Sequence, residues 1–94
     1  ISAPEAKDMA LVNDVVPAAG LKERVREAAA QIVANAPLAL EASKQVMMRS
    51  LAFADLPAAL ATHYPATERM LASEDAIEGQ RAFVEKRKPE WKGR

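Results

Sequence analysis

The sequence predicts a mainly α-helical chain of four to five helices with one short strand. Apolar residues recur at helical spacing through most of the 94 residues. Prolines and side chains that cap helices stand where one helical pattern ends and the next begins. β-Branched residues dominate a single stretch, which is typical of a strand. The predicted helices cover residues 3–9, 20–35, 38–52, 56–72 and 74–88, and the predicted strand covers residues 11–16.

The first helix begins at Ser2-Ala3-Pro4-Glu5, where the Ser2 hydroxyl can accept from the Glu5 amide while Glu5 reaches back. Residues 11–16, which are Leu-Val-Asn-Asp-Val-Val, end at Pro17 and predict the strand. No second strand candidate exists in the sequence, and a lone strand leaves its backbone groups unpaired. We therefore expect the partner of this strand to lie outside the chain.

Prolines set the boundaries of the central helices. Pro37 disfavours helical geometry at the residue before it and suits the first turn of the next helix. Asp55 is a cap for the helix that follows, with Pro57 early in that helix. Pro65 lies inside the same apolar pattern, so it is expected to kink this helix and to remove one backbone hydrogen bond.

The last helix is predicted to begin at the cap residue Ser73 and to stop before Pro89. Glu74 and Asp75 fall in its first turn, where carboxylates complement the positive end of the helix dipole. Gly79 inside this helix costs about 1 kcal/mol relative to alanine. A glycine at that position therefore indicates tight packing against another part of the chain.

Composition excludes several classes of protein. The chain has no cysteine, which excludes a disulfide framework, a thiolate metal site and a thiol nucleophile. Its three glycines form no phosphate-binding loop pattern. No apolar run approaches the roughly 18–20 residues of a membrane span, and no targeting segment is visible. We therefore expect a soluble, cytoplasmic protein. The first residue, Ile1, is not an initiator methionine, and 21 alanines would give a solitary core little area to bury, so we also expect the chain to be a piece of something longer.

Residues that carry catalytic chemistry elsewhere lack partners here. His63, the only histidine, lies on an apolar helical face without other metal ligands at suitable spacing, which favours a structural role. The carboxylates Glu74, Asp75 and Glu78 fit the helix dipole better than paired acid and base catalysis. No serine lies in a nucleophile elbow. We therefore assign no catalytic residue and no metal ligand.

A basic segment ends the chain. Residues 81–94 carry six cationic and two anionic side chains, whereas residues 1–80 carry seven and eleven. Lys86-Arg87-Lys88 is the best candidate for a phosphate contact, with Phe83 one helical turn earlier on the same side. Such a pair suits a nucleotide base and its phosphate. The alternatives are a solvated helix end, where cations complement the dipole, and ordinary core packing for Phe83. The short tail and acidic remainder argue against DNA or RNA binding.

Three stretches of this sequence resemble the enoyl-CoA hydratase/isomerase (crotonase) family, in the order that the family has them. The third is the most specific, since it has the form S-x-D-x-x-E-G and closes on F-x-E-K-R-x-P. The sequence departs from the family at Ala10, where the family often has glycine. The stretches are Ile1-Ser2-Ala3 through Ala6 to Leu11–Pro17, then Ala36-Pro37-Leu38-Ala39 with Lys44, and then Ser73–Gly79 with Ala82–Pro89 and Lys92-Gly93-Arg94.

The resemblance implies the C-terminal helical part of a crotonase-like fold. Residues 1–17 are then the tail of a catalytic core that this chain lacks, and residues 18–94 a helical domain that covers the active site and builds a trimer interface. The implied activity is that of an enoyl-CoA hydratase, a lyase that adds water to 2-enoyl-CoA in metabolism of the fatty-acid β-oxidation type. Its oxyanion hole and two glutamates belong to the missing core, so the chain is expected to be inactive alone.

The resemblance also implies a ligand and partners. An F-x-x-K segment of the family approaches the adenine and phosphate end of coenzyme A, which points to Phe83 and Lys86 as CoA-binding residues here. Coenzyme A enters as the thioester substrate, and no other cofactor is implied. The expected partners are the missing core and further copies of the protein, as a trimer or hexamer. Unsatisfied apolar faces should make the isolated chain self-associate or exchange helices. The alternatives are a helical oligomerisation module without a catalytic role and a free-standing helical domain.

Overall fold

A computed structural model describes all 94 residues of the chain. It contains six α-helices, one short 3-10 helix and no β-strand, so the mainly α-helical prediction is confirmed. The chain forms two compact units, Ile1–Gln31 and Ile32–Arg94. The elements are α1 (Ala3–Asp8), the 3-10 helix (Ala18–Gly20), α2 (Leu21–Val33), α3 (Pro37–Ser50), α4 (Leu56–Ala61), α5 (Pro65–Leu71) and α6 (Glu74–Glu85).

Helix α1 begins with the capping box that the sequence predicts. The Ser2 hydroxyl accepts from the Glu5 backbone N–H at 3.4 Å, and the Glu5 carboxylate accepts from the Ser2 N–H at 2.6 Å. The Ser2 hydroxyl also donates to this carboxylate at 2.8 Å, and the backbone and side-chain donors of Ser2 lower the pKa of the Glu5 carboxyl. Two otherwise unpaired backbone donors are thus satisfied by side chains only three residues apart.

The prediction of a strand over residues 11–16 is wrong, since no strand forms there. A strand needs a neighbour for its backbone hydrogen bonds, and the chain supplies none. A carboxylate holds the segment instead. Asp14 accepts from Arg24 Nε and from Lys7 Nζ, each at 2.8 Å, and these partners hold the pKa of its carboxyl well below its usual range.

Helix α1 is followed by an alanine in the left-handed region. Ala10 has φ = 58°, and the next residue, Leu11, donates its N–H to the Ala6 carbonyl oxygen at 2.9 Å. This conformation costs an L-residue roughly 1–2 kcal/mol, whereas glycine adopts it freely.

We expect Ala10→Gly to raise the free energy of unfolding by about 0.5–1 kcal/mol in urea denaturation. The control is Ala6→Gly inside α1, which should lower it by about 1 kcal/mol. Two equally destabilising substitutions would contradict the prediction.

In the second unit, α3 packs against α5 through small side chains. Ala42 of α3 and Ala66 of α5 are both buried, so the two backbones approach closely. Gln45 accepts from the Ala66 N–H at 3.1 Å, and Arg69 donates to Glu41 at 2.9 Å. Every buried apolar residue of the chain is an alanine, and these are Ala42, Ala59, Ala66 and Ala82.

The prediction of a single kinked helix over residues 56–72 is wrong, because the structure has two helices there, α4 and α5. Asp55 caps α4 as predicted, accepting from the Ala58 N–H at 2.8 Å. Pro65 begins α5 instead of bending a continuous helix. A proline disfavours helical geometry at the residue before it, and Tyr64 is indeed extended. Its hydroxyl donates to the Ala59 carbonyl oxygen at 2.8 Å, which fixes the break.

The large apolar side chains lie mainly on the surface. No helix is both long enough and apolar enough to cross a membrane. Every α-helix except α1 contributes to them, and so do segments between helices. In the second unit they include Met47, Met48, Leu51, Leu56, Leu60, Leu71, Ile77, Phe83 and Val84.

Candidate functional site

Of the two residues that the sequence proposes as a site, Phe83 lies in the last turn of α6 and Lys86 follows directly after its last residue. Ser73 caps its start, accepting from the Ala76 N–H at 3.1 Å as predicted. The helix ends at Glu85, three residues before the predicted end, because Lys86 adopts a left-handed conformation with φ = 54° and ψ = 39°. The N–H of Lys86 donates to the Phe83 carbonyl oxygen at 3.3 Å, and that of Arg87 to the Ala82 carbonyl oxygen at 3.1 Å. These bonds close the last turn and reverse the chain.

Phe83 and Lys86 are both open to solvent. Phe83 is 85% exposed, so its ring does not pack in the core of this chain. The Lys86 ammonium forms no hydrogen bond and no ion pair, and the residue is exposed. An exposed ring and an unpaired cation therefore stand within one turn at the end of α6.

The basic cluster Lys86-Arg87-Lys88 does not act as one unit. Arg87 donates to both carboxylate oxygens of Glu78, at 2.6 and 2.9 Å, and to Glu85 at 2.5 Å. These carboxylates raise the pKa of the Arg87 guanidinium. Lys86 and Lys88 have no carboxylate partner, since the ion pairs of this cluster are those of Arg87. The cationic candidates for a ligand are thus reduced to the two lysines that flank Arg87.

Residues 87–94 return along α6. We call the contacts between these residues and α6 the tail clasp. Asp75 is only 2% exposed and accepts from the Lys92 N–H at 2.7 Å and the Gly93 N–H at 2.9 Å. Glu74 donates its N–H to the Arg94 carbonyl oxygen at 2.7 Å. Its carboxylate pairs with the Lys92 ammonium at 3.1 Å and the Arg94 guanidinium at 3.3 Å. Carboxylates of α6 thus neutralise half of the basic segment.

The indole of Trp91 is the apolar part of the tail clasp. Its ring lies against Gly79, where an added Cβ would stand 3.3 Å from the ring atom Cη2. Its Nε1 donates to the Ala34 carbonyl oxygen at 2.9 Å. The tight packing predicted from a glycine inside this helix is therefore confirmed, and Trp91 is the neighbour that requires it.

The carboxylates of α6 have a role that sequence reasoning missed. The sequence predicts that they complement the helix dipole, and Glu74 and Asp75 do lie in the first turn. Asp75 and Glu78 also bind backbone N–H groups of the returning tail. The available signal was an acidic turn followed closely by a basic segment, with Asp75, Glu78 and Gly79 spaced to share one helical face. A cleft of about 460 Å³ beside α6 is lined by the residues that make these contacts, including Asp75, Glu78, Arg87 and Lys92.

His63 lies in a different environment from the predicted apolar face. It stands between α4 and α5, its side chain is 63% exposed, and its Nδ1 lies 3.1 Å from a carboxylate oxygen of Glu68. The chain contains no group of three or more histidine and acidic side chains that could hold a metal ion.

The Glu78 ion pair makes the tail clasp sensitive to acid. Arg87 and the Glu90 N–H lower the pKa of the Glu78 carboxyl from 4.5 to about 2. The ionised form holds the clasp, so its stabilisation is complete above pH 4.5 and is lost as the pH falls towards 2. We expect the emission of Trp91 to shift to longer wavelength over this range as the indole gains water. Glu78→Gln should lack this part of the transition, and an unchanged acid titration in that variant would contradict the assignment.

The whole chain, residues 1–94, matches the family model described as enoyl-CoA hydratase/isomerase. The chain belongs to this family, which confirms the resemblance drawn from its motifs. It is 43% identical over 100 residues to a carnitinyl-CoA dehydratase of Escherichia coli K12, covering all of this chain and 37% of that protein.

Solved structures agree with this assignment. An enoyl-CoA hydratase from Bacillus anthracis has a TM-score of 0.88 at 38% identity, with all of this chain and 36% of that one covered. An enoyl-CoA hydratase/isomerase from Mycobacterium paratuberculosis has the same TM-score and identity, with 37% of that chain covered. The chain thus spans just over a third of the length of the relatives that it matches.

Proposed function

We propose that this chain is the C-terminal part of an acyl-CoA-processing enzyme, most concretely an enoyl-CoA hydratase. Residues 1–17 then complete the catalytic core, and residues 18–94 form a helical domain that covers the active site and takes part in subunit assembly. The support is a family match over the full chain, combined with relatives nearly three times as long.

The chemistry of water addition is carried by the rest of this enzyme. Two backbone N–H groups there stabilise the negative charge that develops on the thioester oxygen, and two glutamates handle the water. This chain contributes binding. Lys86 supplies a point charge to a phosphate of coenzyme A, and Phe83 supplies an apolar face to the adenine ring.

The observation that carries this role is the state of the two side chains at the end of α6. Phe83 is 85% exposed, and Lys86 has no carboxylate partner although acidic residues are abundant on the same helix. A phenylalanine that only stabilised this chain would be buried. Exposure of both groups within one turn fits a ligand that has a ring and a phosphate.

Lys86→Ala in the complete enzyme is expected to raise the KM for 2-enoyl-CoA by about 5–30-fold, with kcat unchanged. The physical reason is the loss of a charge-assisted contact of roughly 1–2 kcal/mol that is equal in the ground and transition states. Steady-state kinetics measure this effect. Lys22→Ala removes another exposed lysine without an ion pair and should leave KM unchanged. An unchanged KM in Lys86→Ala as well would refute the contact.

A second candidate function is a helical assembly module without a role in substrate binding. The observation that favours it is the set of large apolar side chains exposed on α3 to α6, since such surfaces drive association. Under this function, Lys86→Ala alters neither KM nor kcat in the complete enzyme. The kinetic experiment above therefore separates the two candidates.

A further inference from the structure

The backbone at Lys86 has to be held in place by its surroundings. A lysine seldom adopts a left-handed conformation, because its Cβ crowds the backbone there. Lys86 nevertheless has φ = 54°, and this angle sets the direction in which its side chain leaves the end of α6. Two backbone hydrogen bonds close the turn, but neither involves a residue beyond Arg87.

The side chain of Arg87 supplies the additional restraint. Its guanidinium reaches back nine residues to form a two-pronged pair with Glu78, and it also donates to the carbonyl oxygen of Lys88 at 3.1 Å. A two-pronged arginine–carboxylate pair fixes orientation as well as distance. With Nε engaged by Glu85, each guanidinium nitrogen already has an acceptor within the chain. Arg87 therefore has little capacity left for a phosphate.

Glu78 also restrains the chain after the turn. One of its carboxylate oxygens accepts both from Arg87 and from the N–H of Glu90, the latter at 2.8 Å. One carboxylate on α6 thus ties down the chain on the C-terminal side of Lys86. Of the three consecutive cations, the middle one is consumed in fixing the turn, and Lys86 is left unpaired.

We propose that Glu78 and Arg87 are positioning residues for Lys86, which they hold in the left-handed turn that presents its ammonium to a phosphate of coenzyme A. This inference rests on the proposed CoA contact of Lys86. A lysine that is already held in its binding conformation loses less conformational entropy when coenzyme A binds. Glu78 and Arg87 therefore strengthen the binding of coenzyme A through Lys86, without contacting the ligand themselves.

The test is a double-mutant cycle in the complete enzyme with 2-enoyl-CoA as the probe. Arg87→Ala is expected to raise KM by about 3- to 10-fold with kcat unchanged. In a Lys86→Ala background, the same substitution should change KM by less than about twofold, because the lysine through which it acts is absent. Arg87→Lys keeps the positive charge but cannot form the two-pronged pair with Glu78, so it should give an intermediate KM. Arg69→Ala, which removes an exposed ion pair with Glu41, is the matched control and should leave KM unchanged.

Each outcome decides the inference. An effect of Lys86→Ala without any effect of Arg87→Ala overturns the positioning role and leaves the CoA contact standing. No effect of Lys86→Ala overturns the contact and the inference together. An equal effect of Arg87→Ala in both backgrounds shows that the arginine acts independently of Lys86 and also overturns the inference. If circular dichroism shows that Arg87→Ala has unfolded, Glu78→Gln, which keeps an acceptor for Glu90, is carried through the same cycle and judged by the same criteria.

Discussion

Asp75→Ala is expected to release the tail clasp and to lower the free energy of unfolding by about 2–4 kcal/mol. The Asp75 carboxylate is buried and accepts from two consecutive backbone N–H groups, those of Lys92 and Gly93. Alanine leaves both donors without an acceptor, so the cost combines two charge-assisted hydrogen bonds with the desolvation of the donors. Urea denaturation followed by the emission of Trp91, the only tryptophan, measures the loss.

Two companion substitutions separate this contact from the helix dipole. Asp75→Asn keeps one acceptor oxygen and is expected to lose about half as much as alanine. Glu74→Ala removes the neighbouring carboxylate of the same helical turn, whose contacts with Lys92 and Arg94 are exposed ion pairs, so it should cost far less. Equal losses in Glu74→Ala and Asp75→Ala would show that the buried hydrogen bonds of Asp75 add nothing to the effect of a charge in this turn.

Gly79→Val is expected to displace Trp91 and to lower the free energy of unfolding by about 1–3 kcal/mol. The first added carbon already stands 3.3 Å from the indole, and the two methyl groups of valine need further room. The ring must then move away from α6, which also strains its hydrogen bond to the Ala34 carbonyl oxygen. A shift of the tryptophan emission to longer wavelength in the folded protein reports this movement directly.

Gly20 provides the matched control for this steric argument. An added Cβ at Gly20 meets no atom within 4 Å, so Gly20→Val should leave the tryptophan emission unchanged and cost little stability. If Gly79→Val kept the wild-type emission and stability, the contact with Trp91 could not be the reason for the glycine. Comparison of the two variants therefore separates the effect of valine on the packing of Trp91 from the effect that valine has on stability wherever it replaces a glycine.

Features decided within a few residues could be predicted well from the sequence. The capping box at Ser2 and the caps at Asp55 and Ser73 form as expected, because each side chain bonds a backbone group only three residues away. The sequence indicates Lys86 through its basic cluster and Phe83 through its spacing, since residues three apart on a helix share a face, and the family resemblance selects this pair. The structure places them together at the end of α6 with both side chains exposed.

Features that depend on distant partners could not be predicted in the same way. Residues 11–16 have the composition of a strand, but strand formation depends on a neighbour, and Asp14 holds this segment through Lys7 and Arg24 instead. Arg87 belongs to the basic cluster that the sequence offers as a candidate for a phosphate contact. Its pairing with Glu78 appears only when the chain reverses at Lys86 and brings residues nine apart into contact.

The sequence by itself determined the helical class, the positions of most helix starts, the family and the two candidate ligand residues. Each of these follows from periodicity, local capping or a motif, all of which operate over short stretches of chain. Only the tertiary structure decided that Asp75 and Glu78 bind the returning tail, that Trp91 is the neighbour of Gly79, and that Arg87 is paired within the chain. Hydrogen bonds and close packing between distant residues depend on atomic positions that a linear pattern does not contain.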